Sequence, residues 1–346
     1  MLSLSKHQMC YNYIRRDMKK IAIIGVGGRT GTMFAFELEK TAEVLGVGKE
    51  KEIEMINQKN FYIDRGGRLE LFEGKVTKDS EFKEDFQPDF IFLATKNPVG
   101  PAIKFYYSKL KKAKKIPALL ISQNGFSPLE ETKNVLKEIF GRDFEKVRII
   151  RLVLFNPIQK KEIKNKIFIS YYSPLKIALA NPEGIEDLVK IFKMAKFKIE
   201  VFPKEEVQNL EFSKLFLSLI GMASASRGFS VKDGFSNSEI FKEEIEVLKE
   251  YVRVVKATGG KFLNFSHYPV KFLAHLLELI PTNLFLVFEP LLVKIVSQKR
   301  EEKTKDLDEI EFYNGAVVKL GKKLGIKTPV NEGIYKRVLE KLSKPR

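Results

Sequence analysis

Tryptophan is absent from the 346-residue sequence, and cysteine occurs once, at Cys10. A single cysteine excludes an internal disulfide and is typical of a reducing cytoplasm. The three histidines, His7, His267 and His275, lie too far apart in the chain to predict a histidine-rich metal site. Polar residues interrupt the most apolar stretch, 271–297, before about 20 apolar residues follow one another. The sequence therefore predicts no metal site, no disulfide and no membrane-spanning helix.

Acidic residues are fewer than basic residues: the chain has 44 Asp and Glu and 61 Lys and Arg, which gives a net charge of +17. Such an excess occurs in proteins that bind nucleic acid or anionic membranes. Here the lysines are spread along the whole chain and alternate with glutamates, as in KEEIEVLKE at 242–250. This pattern favours a solvated, heat-adapted surface over a basic patch, and we expect no nucleic-acid partner.

The length and the 44% hydrophobic content predict two domains with substantial cores. Residues 1–17 contain no apolar run, so we expect a disordered extension and no secretory signal. Residues 18–203 alternate between strand and helix patterns, with short apolar runs of the kind found in a parallel sheet. Residues 204–346 predict an all-helical domain, because helical periodicity occurs over 204–228, 237–258, 270–297 and 306–324, with two or three buried helices expected within 271–297. The main strand candidates are 20–24, 43–48, 90–94, 118–122 and 147–155.

A glycine cluster follows the first predicted strand directly and precedes a helical stretch. It contains Gly25, Gly27, Gly28 and Gly31, and Thr30 stands where a strict G-x-G-x-x-G would have its third glycine. Glycine lets the backbone approach a diphosphate closely, and the amino end of the helix supplies N–H donors. The spacing also resembles the loop of extended short-chain dehydrogenases. The position of the cluster predicts a dinucleotide site of the Rossmann type.

The end of the second predicted strand bears on the choice between NAD and NADP. An NAD site normally has an acid there, which binds the ribose 2′-hydroxyl. This chain has Lys49 at that position, followed by Glu50. A cation is suited to a 2′-phosphate, so the sequence favours NADP, with a solvated surface lysine as the alternative interpretation.

Two other predicted strands end in polar residues. Lys96 follows the strand 90–94, and Asn124 follows the strand 118–122. Ligands of open parallel sheets bind at the carboxyl ends of the strands, so both side chains are candidate cofactor contacts.

The helical region offers a lysine and a glutamate. Lys214 lies in LEFSKLFLSLIGMASAS and is followed by no other charge until Arg227. Desolvation there would bring its pKa towards neutrality, whereas most helical lysines extend to solvent. Glu309 is in register with an apolar stripe that continues at Phe312 and Tyr313, so it requires an internal partner unless it only starts a helix.

The glycine cluster, the polar residues at the strand ends, Lys214 and Glu309 occur in an order that resembles the ketopantoate reductase (2-dehydropantoate 2-reductase) family. The resemblance extends from about residue 21 to 338. The most specific portion is EIEFYNGAVVKLGKKLGIKTPVN, residues 309–331. The resemblance implies a Rossmann domain followed by a helical domain, and a homodimeric cytoplasmic enzyme that reduces a 2-keto acid with NADPH. Its site would comprise Lys214 as catalytic lysine, Glu309 as the acid for lysine and substrate, Asn124 near nicotinamide and substrate, and Lys96 and Lys49 at the cofactor.

The resemblance also identifies substrate-binding positions. Ser297, twelve residues before Glu309, corresponds to a substrate-binding serine of the family. Ser218 and Met222 stand where the family usually has asparagines. Ser218 remains a candidate substrate contact, and the two departures leave the identity of the 2-keto acid open.

Three other interpretations compete with this one. Tyr107 and Lys111 match the catalytic pair of short-chain dehydrogenases, although in a lysine-rich helix early in the chain. A related two-domain dehydrogenase would act on another 2-keto acid or an opine. A non-catalytic NADP-binding sensor would not need Lys214 and Glu309.

Overall fold

A computed structural model describes residues 18–125, 127–180, 183–287, 305 and 307–343. The chain divides into two compact units. The first unit contains residues up to 123 and residues 128–204, and the second contains 124–127 and everything from 205 onwards. The four residues 124–127, which follow a strand of the first unit, thus group with the second.

An eight-stranded sheet forms the centre of the first unit, in the order β12-β11-β8-β7-β6-β1-β2-β5. All neighbouring pairs are parallel except β8 and β11. The strands are β1 (Lys20–Ile24), β2 (Glu43–Gly48), β5 (Val76–Lys78), β6 (Phe90–Leu93), β7 (Ala118–Ile121), β8 (Ile149–Leu154), β11 (Lys176–Ala180) and β12 (Lys198–Phe202). The α/β class predicted from the sequence is confirmed.

Both faces of this sheet are buried, as the continuous apolar strands predict. Ile21 and Ile23 of β1 belong to one apolar cluster, and Ala22 and Ile24 belong to another on the opposite face. The covering helices are α1 (Arg29–Leu38), α2 (Glu50–Asn57), α3 (Gly100–Lys109), α4 (Ser127–Phe140) and α5 (Glu186–Met194).

The strand order places a topological switch point at β1, which pairs with β2 on one side and with β6 on the other. The glycine cluster follows β1, and Thr95 and Lys96 follow β6. Ligands of such sheets bind in the crevice at this point. The topology therefore supports the expected location of the dinucleotide.

A second, four-stranded sheet has the order β4-β3-β10-β9 and was not predicted as a separate layer. Its strands are β3 (Phe61–Arg65), β4 (Leu69–Leu71), β9 (Gln159–Ile163) and β10 (Lys166–Tyr171). The strand β10 joins it by parallel pairing with β3, about 100 residues earlier in the chain. Such long-range pairing leaves no local signature in the sequence.

The second unit is helical, and its described part shows only an isolated bridge, between Phe265 and Tyr268, as extended pairing. Its helices are α6 (Val207–Leu219), α7 (Met222–Ser226), α8 (Val231–Phe235), α9 (Ser238–Ala257), α10 (Val270–Leu279), α11 (Thr282–Val287), α12 (Asn314–Lys323) and α13 (Pro329–Ser343). The predicted helical second region is confirmed. Every described helix is too short or too polar to traverse a lipid bilayer.

The stretch 270–287 contains two helices, α10 and α11, because Pro281 lacks the N–H that a continuing helix requires. One predicted helix, 306–324, is wrong in its bounds. The stretch 306–324 does not begin as an α-helix, since α12 starts at Asn314 and a 3₁₀ turn occupies Ile310–Phe312. Tyr313, between them, departs from helical geometry at φ −105° and ψ −99°. Glu309 therefore lies before the turn rather than on a helical stripe.

Candidate functional site

The glycine loop connects β1 to α1 in a conformation that depends on glycine at Gly27. This residue has φ +100°, and a Cβ built on it would lie 2.5 Å from Cβ of Glu52. Its N–H donates to Thr32 Oγ1 at 3.0 Å, which ties the loop to the first turns of the helix. Gly25 and Gly28 complete the loop, and Gly28 is the residue before the first turn of α1.

Gly31, and not Thr30, takes the part of the third glycine. A Cβ on Gly31 would lie 2.3 Å from the carbonyl oxygen of Gly25, so only glycine permits this approach of helix to strand. Thr30 is partly exposed in the first turn. N–H groups in the first turn of a helix have no intrahelical acceptor and are directed at whatever lies before the helix. The loop therefore fits a diphosphate.

Two buried oxygens, one just after β6 and the other at the start of α2, also fit a bound dinucleotide. Thr95 Oγ1 and Glu52 Oε2 have no hydrogen-bond partner among the described residues. Thr95 is adjacent to the loop, since its backbone nitrogen lies 3.1 Å from the position a Gly25 Cβ would take. Buried polar groups normally have partners, and hydroxyl or amide groups of a bound cofactor would supply them here.

Lys49 is exposed and precedes the first turn of α2, at the end of β2 where the sequence placed it. The neighbouring Glu50 pairs with Lys78 of β5. The hydrogen bond from Lys78 lowers the pKa of Glu50, so this carboxylate is held as an anion by another lysine. Glu50 therefore pairs with Lys78, which leaves it less suited to bind a ribose hydroxyl. Lys49 is an exposed cation at the end of β2.

Sequence reasoning missed two charged residues at the loop, Glu52 and Lys160. Glu52 packs over Gly27 from α2, and Lys160 of β9 donates from Nζ to the carbonyl oxygen of Gly27 at 2.7 Å. Partial desolvation lowers the pKa of Lys160, against the attraction of Glu52, which raises it. No local pattern marks Lys160, because the four-stranded sheet brings it to the loop across 133 residues.

A polar cluster in the second unit consists of Asn124, Glu309 and Tyr313. Asn124 Nδ2 donates to Tyr313 Oη at 2.8 Å and to Glu309 Oε2 at 3.3 Å. The hydroxyl of Tyr313 donates in turn to the same carboxylate oxygen at 3.3 Å. The structure thus brings two predicted site residues together, and it supplies the internal partner that Glu309 was expected to require.

Tyr313 is a member of this polar cluster that the sequence did not reveal. It was assigned to the apolar stripe, and its ring is indeed buried, at 8% exposure. The irregular turn before α12 directs its hydroxyl towards Glu309. Gly125 approaches this turn closely, because a Cβ there would lie 2.8 Å from the carbonyl oxygen of Phe312.

Lys305 is a cation close to this cluster. Its Nζ donates to the carbonyl oxygens of Ser218 and, at 3.0 Å, Ile220, and lies 5.8 Å from the centre of the Tyr313 ring. The carbonyls at the end of α6 are acceptors that the helix itself leaves unpaired. Ser218 is buried at this end of the helix, one turn after Lys214.

The other predicted site residues stand as follows. Lys214 is half-buried on α6 between buried neighbours, and its pairing with Glu309 stays a prediction. Lys96 is exposed three residues after β6. Ser297 lies outside the described residues. Met222 is fully buried in α7, where it packs as an apolar side chain.

The short-chain dehydrogenase pair is not supported. Tyr107 is fully buried in α3, and its hydroxyl donates to the carbonyl oxygen of Pro117 at 3.1 Å. Burial raises the pKa of this phenol well above its usual value, the opposite of the shift that activates a catalytic tyrosine as a base. Tyr107 acts as a core residue.

Comparisons with known proteins cover nearly the whole chain. Residues 21–166 match a family model described as ketopantoate reductase PanE/ApbA, and residues 212–341 match the model of the C-terminal part of the same family. The 2-dehydropantoate 2-reductase of Aquifex aeolicus (strain VF5) is 24% identical over 338 residues, which cover 93% of this chain and 96% of that protein.

Solved structures share the fold. A PanE/ApbA family ketopantoate reductase from Ralstonia eutropha JMP134 has a TM-score of 0.70 and 16% identity, over 93% of this chain and 97% of its own. The ternary structure of D-mandelate dehydrogenase with NADH and anilino(oxo)acetate also has a TM-score of 0.70 and 16% identity, over 93% of this chain and 98% of its own.

Proposed function

The chain belongs to the ketopantoate reductase family, and we propose that it reduces 2-dehydropantoate to pantoate with NADPH. The family membership makes it a nicotinamide-dinucleotide-dependent oxidoreductase of 2-keto acids. The proposed reaction would support coenzyme A synthesis. The observation that carries this proposal is the cluster in which Asn124 and Tyr313 hold the carboxylate of Glu309. This carboxylate is the predicted acid of the family motif.

The side chains divide the chemical work. A dinucleotide held by the glycine loop would supply the hydride, and this chain's own residues would then act on the negative charge that develops on the carbonyl oxygen of the keto acid. Protonated Lys214 stabilises this charge and donates the proton, which contributes about 10²–10⁴-fold. Glu309 holds the lysine ammonium and accepts a hydrogen bond from a substrate hydroxyl. Asn124, Ser218 and Ser297 are the groups proposed to orient the carboxylate and carbonyl of the substrate.

Binding of the cofactor is assigned to the first unit. The loop from Gly25 to Gly31, with Thr30 in the first turn of α1, would hold the diphosphate by backbone N–H groups. Lys49 would meet the 2′-phosphate, a role supported by its exposure at the end of β2 and by the pairing of Glu50 with Lys78. Lys96 would contact the cofactor from the end of β6.

Steady-state kinetics test the substrate assignment. NADPH consumption is measured with 2-dehydropantoate and with a panel of other 2-keto acids of similar size. We expect the highest kcat/KM for 2-dehydropantoate. A kcat/KM far below that for another 2-keto acid would contradict the assignment while leaving the reductase chemistry in place.

A second candidate is a related dehydrogenase for another 2-keto acid. Two observations favour it: Ser218 and Met222 replace the asparagines of the family, and D-mandelate dehydrogenase shares the fold at the same TM-score as a ketopantoate reductase. The same panel decides, since this candidate predicts a preference for aryl or aliphatic 2-keto acids that lack the hydroxyl of 2-dehydropantoate.

We also infer a cytoplasmic homodimer. The single cysteine fits a reducing compartment. Exposed large apolar side chains on α10 and α11 support a subunit contact in the second unit; they are Phe272, Leu279, Leu284 and Val287. Light scattering during size-exclusion chromatography measures the mass directly, and a monomer at micromolar concentration would contradict the dimer.

A further inference from the structure

Lys160 holds the glycine loop from outside the segments that normally build it. It lies on β9 of the four-stranded sheet, and its Nζ donates to the carbonyl oxygen of Gly27 at 2.7 Å. The ammonium also lies 5.8 Å from the centre of the Phe61 ring. Lys160 as a residue remains exposed, so an anionic ligand on the loop can reach it.

Glu52 brings the opposite charge to the same glycine. Its Cγ lies 2.6 Å from the position that a Gly27 Cβ would take, so the side chain covers the loop at that residue. One carboxylate oxygen, Oε2, is buried and has no hydrogen-bond partner in the described part of the chain. A carboxylate at this place would bind a ribose 2′-hydroxyl well and would repel a 2′-phosphate.

We propose that Lys160 and Glu52 form an opposed charge pair at Gly27 that sets the choice between a 2′-phosphate and a 2′-hydroxyl on the adenosine ribose, with Lys160 offsetting Glu52 in favour of the phosphate. This inference rests on the proposed function in one respect: it assumes that the protein binds NADPH, whichever keto acid it reduces. Lys160 is thus a specificity-determining residue in addition to Lys49.

The electrostatic reasoning gives the sign of each change. A phosphate monoester carries about −1.5 to −2 charges at pH 7. Lys160 attracts the phosphate and also compensates the negative charge of Glu52. A neutral hydroxyl interacts with both charges far more weakly. Removal of Lys160 therefore weakens NADPH binding selectively. Removal of Glu52 relieves repulsion of the 2′-phosphate and deprives the 2′-hydroxyl of an acceptor.

Titrations of the full-length protein without any keto acid test this proposal. Dissociation constants for NADPH, NADH, 2′,5′-ADP and 5′-AMP are measured by calorimetry for the parent, Lys160→Gln, Glu52→Gln and the double variant. For Lys160→Gln we expect at least about tenfold weaker NADPH and 2′,5′-ADP binding, and less than about threefold change for NADH and 5′-AMP. In that background, Glu52→Gln should recover a substantial part of the lost NADPH affinity.

Lys161→Gln is the matched control, because this exposed neighbour on β9 points to the opposite face of the strand. It should leave all four constants unchanged. Equal weakening of NADPH and NADH in Lys160→Gln would overturn the proposal and make Lys160 a diphosphate contact, and unchanged affinities would overturn it altogether. If the parent itself binds neither dinucleotide, the cofactor proposal fails, whereas a parent that binds NADPH but reduces no keto acid fails only the substrate proposal.

Discussion

The two units present their functional groups by different means. In the first unit the loop proposed to bind the dinucleotide would do so mainly by backbone groups, and its conformation depends on consecutive residues between β1 and α1. In the second unit the cluster around Glu309 consists of side chains, and Asn124 reaches Glu309 across 185 residues of chain. A backbone site is encoded locally, whereas a side-chain site depends on the packing of distant segments. Changes in the first unit should therefore act on cofactor affinity or stability, and changes in the second on turnover.

Lys214→Ala should have the largest effect on kcat, and it is the strongest test of the division between cofactor binding by the first unit and turnover by the second. If Lys214 supplies the proton, kcat should fall by at least about a hundredfold, while the Kd for NADPH changes little. The measurement is steady-state kinetics together with cofactor titration. Lys242→Ala, at an exposed position of α9, is the control and should retain parental kinetics. A folded Lys214→Ala protein with parental turnover would remove the proposed mechanism.

Glu309→Ala should damage kcat and KM together, by about tenfold or more in each, because its carboxylate serves lysine and substrate. The Lys214→Ala, Glu309→Ala double variant should lose much less than the product of the two single losses, as expected for groups that act as a unit. Full multiplicativity of the two losses in kcat/KM would show that the residues act independently.

Gly31→Ala tests the backbone character of the first unit. Its Cβ would lie 2.3 Å from the Gly25 carbonyl oxygen, so we expect a loss of about 1–3 kcal/mol in the free energy of unfolding. Gly333→Ala is the matched control, because Gly333 lies in α13 with nothing within 4 Å of its added Cβ. Chemical denaturation should show it equal to or more stable than the parent, by up to about 1 kcal/mol. Equal behaviour of the two variants would contradict the close approach at Gly31.

Lys49→Asp tests the cofactor assignment in the first unit. The parent should bind NADPH at least about tenfold more tightly than NADH, and Lys49→Asp should narrow or reverse this gap. Lys51→Asp makes the same charge change on the exposed first turn of α2 and should affect the ratio less. Equal affinities of the parent for the two cofactors would contradict the 2′-phosphate role of Lys49.

Tyr313→Phe should have the smallest effect. The hydroxyl accepts from Asn124 and donates to Glu309, so its loss leaves the carboxylate positioned by fewer bonds. We expect a few-fold rise in KM, since a typical hydrogen bond contributes about 1 kcal/mol. Tyr335→Phe removes an exposed bond to Glu311 and serves as the control. A change in NADPH affinity without a change in KM for the keto acid would break the division between the units.

The sequence by itself determined the elements with local causes. Apolar β-branched runs bounded by turns predicted the central parallel strands, the glycine cluster directly after the first strand indicated the loop between β1 and α1, and helical periodicity predicted the second region. Pairings across long stretches of chain had no such signal. Only the tertiary structure placed Lys160 on Gly27, and only it put the hydroxyl of Tyr313 against Glu309. It also decided that Gly31 rather than Thr30 contacts the strand, because that depends on an interatomic distance and not on spacing in the sequence.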